Sequence, residues 1–150
     1  MWMTPVLLSV LATQGMHAHA GALRFLALGD SYTIGEGVAE HERWPAQLAA
    51  RLRADGIDLG TPRIVATTGW TTDELSAAMD TQRFDPPYDL VSLSIGVNNQ
   101  YRGRDTDNYR QEFVALLERA IMQRSLRRYS LNASSCSHTR RLVVYTVPVQ

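Results

Sequence analysis

The stretch that decides how this chain folds is LRFLALGDSYTIGEG, Leu23–Gly37. Six residues, all apolar but Arg24, end abruptly in Gly29-Asp30-Ser31, and more glycine follows. A short apolar run stopped by a turn signal reads as a buried strand. The small residues after it let the chain reverse sharply. A serine hydroxyl placed on such a strand-to-helix turn stands clear of the sheet, where it can reach an acyl carbon. The same three residues, taken alone, are also ordinary turn formers.

The pattern around this stretch repeats. RWPAQLAARLRADG (Arg43–Gly56) places Trp44, Leu48 and Leu52 at helical spacing, with Gly56 as a stop. PRIVAT (Pro62–Thr67) reads as a second strand. TTDELSAAM (Thr71–Met79) opens on threonine with acids in its first turn, as a helix start should. DLVSLSIG (Asp89–Gly96) is a third strand, and NYRQEFVALLERAIM (Asn108–Met122) a helix with Phe113, Leu116, Leu117 and Ala120 on its apolar stripe. RLVVYTVP (Arg141–Pro148) is a fourth strand. Strand and helix in this alternation imply right-handed crossovers and a parallel sheet covered on both faces.

Composition agrees with one such domain. The chain has 150 residues, 45% of them hydrophobic, enough for a real core. Its formal net charge is +0, so no nucleic-acid partner is expected, and every one of its 15 basic residues is arginine. The single Cys136 excludes an internal disulfide and a multi-cysteine zinc site. No apolar run approaches the roughly 18 residues of a membrane span. Residues 1–22 read as an extension ahead of the domain, which is assigned to 23–150. PVLLSVLA followed by Ala18-His19-Ala20 has the outline of a cleaved leader, yet no basic residue precedes Arg24. On that balance a cytoplasmic location is favoured over export.

In open parallel sheets, sites form beyond the carboxyl ends of the strands. Three strand ends here carry suggestive residues: Gly29-Asp30-Ser31, Thr68-Gly69-Trp70 and Gly96-Val97-Asn98-Asn99. Gly69 admits a close backbone N–H, and Asn98 brings a carboxamide donor. Backbone N–H groups and a carboxamide converging on one point would form an oxyanion hole. Read singly, Gly69 is a turn glycine, Asn98-Asn99 a loop tolerant of the left-handed conformation, and Trp44, Trp70 and Phe113 core or rim aromatics. Dinucleotide or phosphate binding is not supported, because GDSYTIGEG is neither G-x-G-x-x-G nor a lysine-bearing P-loop.

Together, GDSYTIGEG, TTGWTTDEL and SIGVNNQYRG resemble the first three conserved blocks of the SGNH/GDSL hydrolases, a family of esterases, lipases and carbohydrate deacetylases. The resemblance runs from Leu23 to Met122 in order and spacing. It implies a three-layer α/β/α fold with a flavodoxin-like parallel sheet, and Ser31 as nucleophile. The backbone N–H groups of Ser31 and Gly69 and the side chain of Asn98 would be the oxyanion donors. It implies no metal or organic cofactor, and a small-molecule, lipid or carbohydrate ester as substrate. Where the family usually has aspartate after that asparagine, this sequence has Asn99.

The general base is the difficulty. A serine nucleophile needs a histidine that is itself oriented by a carboxylate. The family supplies both from an Asp-x-x-His block after its last strand. Here Gln14, Met16, Val38 and Ser135 stand three residues before His17, His19, His41 and His138. His138 precedes the fourth strand and should sit at the far end of the sheet, roughly 17–20 Å from Ser31. His41, flanked by Glu40 and Glu42, falls on the same rim as Ser31 but reads as a solvated loop histidine. The segment QRSLRRYSLNASSCSHTRR (Gln123–Arg141) is arginine- and serine-rich and unlike the family at that point. The chain is therefore expected to lack the last catalytic block, with a non-catalytic binding module as the alternative.

Overall fold

The structure, a computed structural model, describes residues 21–85, 87–123 and 142–146. Strand β1 (Phe25–Gly29) leads through one residue, Asp30, into the short helix α1 (Ser31–Ile34), which Gly35 ends in the left-handed region at φ 68°. A 3-10 turn at Glu40–Glu42 precedes α2 (Trp44–Ala54), where Pro45 occupies the first turn that tolerates its missing N–H. Then come β2 (Arg63–Ala66), α3 (Thr72–Thr81), β3 (Leu90–Ile95), α4 (Val97–Tyr101), α5 (Thr106–Gln123) and β4 (Leu142–Thr146). The four strands and three longer helices expected from periodicity are all present. The boundaries differ by one or two residues, because apolar spacing does not fix where an element ends.

All strand pairs are parallel, in the order β2-β1-β3-β4. β1 is buried along its whole length, as a strand covered on both faces must be. Its alternation sorts the core into two layers. Phe25 and Ala27 pack with Ala49, Leu59, Trp44, Leu48 and Leu52 on the α2 face. Leu26 and Leu28 pack with Leu75 and Met79 of α3 and Leu116 and Ala120 of α5 on the other. Phe113 and Leu117 complete the α5 stripe, and Trp70 packs at the edge of this cluster. The result is the three-layer α/β/α arrangement with a parallel sheet that the sequence implied. Among the described residues no helix is long and apolar enough to cross a membrane.

The strand order fixes where a site forms. From β1 the chain moves outward to β2, then crosses back over β1 to β3. The connections on either side of β1 therefore leave in opposite directions, and a crevice opens beyond its carboxyl end. His17, His19, Cys136, His138 and the leader-like segment lie outside the described residues.

Candidate active site

The register places three loops side by side. Gly29 is paired with Ala66 on one flank and Ser94 on the other. Ser31, Gly69 and Asn98 thus follow that common level by two, three and four residues on neighbouring strands. The turn under Ser31 is tight. A Cβ on Gly29 would collide with the Thr33 side chain and come within 2.5 Å of the Ser94 carbonyl, so only glycine lets α1 start this close to the sheet.

Asp30 caps that helix. Its Oδ1 accepts from the Tyr32 N–H at 3.1 Å, and its carbonyl accepts from the Thr33 and Ile34 N–H groups. A helix leaves its first N–H groups without internal partners. Asp30 satisfies three of them, and the Ser31 N–H is left with no partner among the described residues. Asp30 itself is buried, and burial pushes its carboxyl above the ordinary 3.8, partly opposed by the bond from Tyr32.

Gly69 adopts φ +82°, in the left-handed region that a side chain disfavours. Its carbonyl accepts from Arg102 Nη2 at 2.6 Å, while its N–H has no partner among the described residues. The Asn98 amide lies against the same loop, with Nδ2 donating to the Trp70 carbonyl at 2.9 Å and one amide hydrogen to spare. Gly96, two residues earlier, adopts φ +132° under the Tyr109 ring, whose hydroxyl donates to the Ile95 carbonyl at 3.4 Å.

Several further groups hold these loops together, Asn99 among them. Asn99, with Thr72 and Glu112, forms a chain of hydrogen bonds behind the site, buried between Asn99 and Thr72 and part-buried at Glu112. Arg102 bridges the Gly69 carbonyl and Glu74 Oε1, the latter at 3.2 Å, and Arg104 pairs with Asp73 at 3.6 Å. Glu74 also accepts from the Thr71 N–H at 2.9 Å. That bond, with Arg102 adding to it, holds the Glu74 carboxyl below its usual range, and the Thr71 hydroxyl does the same for Asp73. Arg102 lies within SIGVNNQYRG and Arg104 just after it, but nothing local in the sequence announces their partners.

His41 is exposed on the 3-10 turn, and its imidazole has no partner among the described residues. Its neighbouring carboxylates are already engaged. Glu42 accepts from the Ala39 N–H at 3.0 Å, and Glu40 lies 3.9 Å from Arg43. A cavity of about 340 Å³ opens at the opposite end of the sheet, between Leu23, Phe25, Gly60 and Tyr88, away from Ser31.

The comparisons with known proteins agree with this fold. AlinE4, a SGNH-hydrolase family esterase, superposes with a TM-score of 0.58 at 25% identity, over 83% of this chain and 58% of that one. TesA superposes at 0.56 with 22% identity over 67% and 55% of the two chains. The psychrotrophic esterase EstA from a Pseudoalteromonas species gives 0.56 with 17% identity over 83% and 61%. The last two show the fold alone. The chain spans between 55% and 61% of the length of these structures. No curated protein is a significant match. The GDSL-like Lipase/Acylhydrolase family matches residues 27–143, more than three quarters of the sequence, and the chain belongs to that family.

Proposed function

We propose that this chain carries the nucleophile and oxyanion hole of a serine ester hydrolase that works through an acyl-enzyme. Ser31 Oγ attacks the ester carbonyl carbon while its proton passes to a general base, and the carbonyl π electrons move onto oxygen. That oxygen receives hydrogen bonds from the Ser31 N–H, the Gly69 N–H and the free hydrogen of Asn98 Nδ2. Collapse of the tetrahedral intermediate expels the alcohol, which takes up the proton. Water then cleaves the acyl-Ser31 ester by the same route. Donors set in advance at the developing negative charge are each typically worth about 3–4 kcal/mol of barrier.

The observation that carries this reading is the pair of unpartnered N–H groups, on Ser31 and Gly69, at adjacent strand ends beside a carboxamide with a hydrogen to spare. The substrate is an ester of a small molecule, lipid or carbohydrate, and the chemistry requires no metal or organic cofactor. The base comes from outside the described residues, because the exposed His41 has no orienting carboxylate partner among the described residues. The second reading, a binding module that keeps the pocket without turnover, draws on the sequence: none of the four histidines follows an aspartate by three residues.

The test joins the chain to a family segment carrying Asp-x-x-His and exposes it to a fluorophosphonate probe and p-nitrophenyl acetate. Ser31→Ala should abolish both labelling and hydrolysis while leaving thermal unfolding intact. Equal labelling of the variant would eliminate Ser31 as nucleophile. Absence of any labelling in the unsubstituted fusion would favour the binding module.

A further inference from the structure

Asn99 is 2% exposed and sits one residue beyond the proposed carboxamide donor. Its orientation follows from its partners. The Thr72 backbone N–H only donates, so the atom 3.0 Å from it is Oδ1, and Nδ2 is the atom 2.7 Å from Thr72 Oγ1. Thr72 Oγ1 therefore accepts from Asn99, and its single hydrogen goes to Glu112 Oε2. Glu112 Oε1 accepts from Asn108 Nδ2 at 2.7 Å. The chain of bonds runs one way, from amide through hydroxyl to carboxylate. A carboxylate at position 99 could not supply the first hydrogen.

This chain of bonds joins two segments of the site. Thr72 is three residues past Gly69, and Asn99 adjoins Asn98, whose own amide reaches back to the Trp70 carbonyl. We propose that Asn99 is a positioning residue whose amide, through the Thr72 hydroxyl and the Glu112 carboxylate, holds the Asn98 side chain in register with the Gly69 turn. The positioning rests on the esterase reading above; the bonding pattern does not. The charged groups around it are Asp73 and Glu74 on α3, Arg102, Arg104 and Asp105 after α4, and Glu112 on α5, with the Tyr109 hydroxyl nearby on α5. Arg102 is paired with Glu74 and Arg104 with Asp73, and neither bonds to the Asn99 or Glu112 side chain among the described residues.

The experiment compares Asn99→Asp, Glu112→Gln and the double variant in the 150-residue chain. It reads thermal unfolding at about pH 5 and about pH 8 and the NMR positions of the Gly69 N–H and Asn98 side-chain amide. In Asn99→Asp two carboxylates face one hydroxyl hydrogen, so the introduced carboxyl titrates above its unfolded value. Its protonated form can donate to Thr72 as the amide did. Stability is then retained at low pH and lost as pH rises through the raised folded value. The midpoint should fall by about 5 °C or more at the higher pH and by half of that or less at the lower. In the double variant the glutamine amide donates to Thr72 Oγ1, whose hydrogen turns to the new aspartate. The midpoint should return to within about 2 °C of the parent. Both NMR signals should shift in Asn99→Asp and return in the double variant.

A pH-independent loss that Glu112→Gln does not repair overturns the proposal. So does a repaired loss that leaves the Gly69 and Asn98 signals unmoved, which would make Asn99 a core residue only. These readouts need no turnover. A failure of Ser31 labelling would refute the esterase reading without altering what the unfolding and NMR shifts say of this hydrogen-bond chain.

Discussion

Two glycines at the rim, Gly69 and Gly96, both have positive φ, yet the structure assigns them unequal costs on substitution by alanine. At Gly69 a Cβ would meet only Arg102 Nη2, at 3.5 Å, an ordinary contact. The cost there is the backbone conformation alone, about 1–2 kcal/mol. At Gly96, with φ 132° and ψ −20°, the same Cβ would lie 2.7 Å from both Cε2 and the hydroxyl oxygen of Tyr109. That ring is buried and packed against Phe113, with centroids 5.8 Å apart, so it cannot swing clear. Overpacking adds about 1–3 kcal/mol to a backbone cost at least as large as that at Gly69. Gly96→Ala should therefore cost about 2–5 kcal/mol and exceed Gly69→Ala by at least about 1 kcal/mol.

Urea unfolding of both variants measures the difference. A cycle with Tyr109→Leu isolates its origin, because removing the ring should recover the steric share at Gly96 and nothing at Gly69. In a fusion carrying the general base, Gly69→Ala moves a proposed oxyanion N–H and should lower kcat by about 10²–10³-fold despite its small effect on folding. Equal unfolding costs at the two positions, or a Gly96 cost untouched by Tyr109→Leu, would refute the steric reasoning.

Asn98→Ala in the same fusion should lower kcat by about 10²–10³-fold with a smaller change in KM, since the donor acts mainly in the transition state; a KM effect with kcat preserved would assign Asn98 to ground-state binding. Because burial raises the Asp30 carboxyl in the folded state, its contribution to stability is greatest below the unfolded value of 3.8 and declines as pH rises through the folded one. Asp30→Asn keeps the cap on Tyr32 and removes that decline, which a midpoint-against-pH series would show as a flatter curve between mildly acidic and neutral pH. Asp73 and Glu74 have the opposite sign, their contribution being present at neutral pH and lost as pH falls through their lowered folded values. The 150-residue polypeptide by itself should hydrolyse p-nitrophenyl acetate orders of magnitude more slowly than the fusion with an Asp-x-x-His segment; robust Ser31-dependent turnover without that segment would redirect the search for the base to His41.

What could be read from the sequence was what local pattern encodes. β1 announced itself because six residues, nearly all apolar, ended in Gly29-Asp30-Ser31. α5 did so because Phe113, Leu116, Leu117 and Ala120 recur at helical spacing. The approach of Ser31, Gly69 and Asn98 to one rim followed from strand alternation and the rule for parallel sheets. Of the supporting shell only Asn99 stood out, as a departure from the family's usual aspartate, and its partners were not legible. Thr72, Asn99 and Glu112 lie on three separate elements, and each alone is an ordinary helix residue. Only the register of β1 with β2 and β3 brings α3, α4 and α5 close enough for one hydroxyl to join an amide to a carboxylate. Arg102 has the same history, since its acceptor on Gly69 belongs to a different strand end.

Magnitudes decide which parts of that shell hold the proposed donors in place. The Arg102–Glu74 pair is 41% and 38% exposed, and the Arg104–Asp73 pair 44% and 46%. Ion pairs this open to water contribute about 0–1 kcal/mol and weaken further in salt. The bonds among Asn99, Thr72 and the Thr72 backbone are buried, and leaving one such group unsatisfied costs about 1–3 kcal/mol. The two segments are therefore tied chiefly from below, through the core side of α3, with the arginines lying over a junction already made. An oxyanion hole benefits from that order. Its donors must be in place before negative charge develops, and a tie sheltered from solvent holds them there whatever the ionic strength outside.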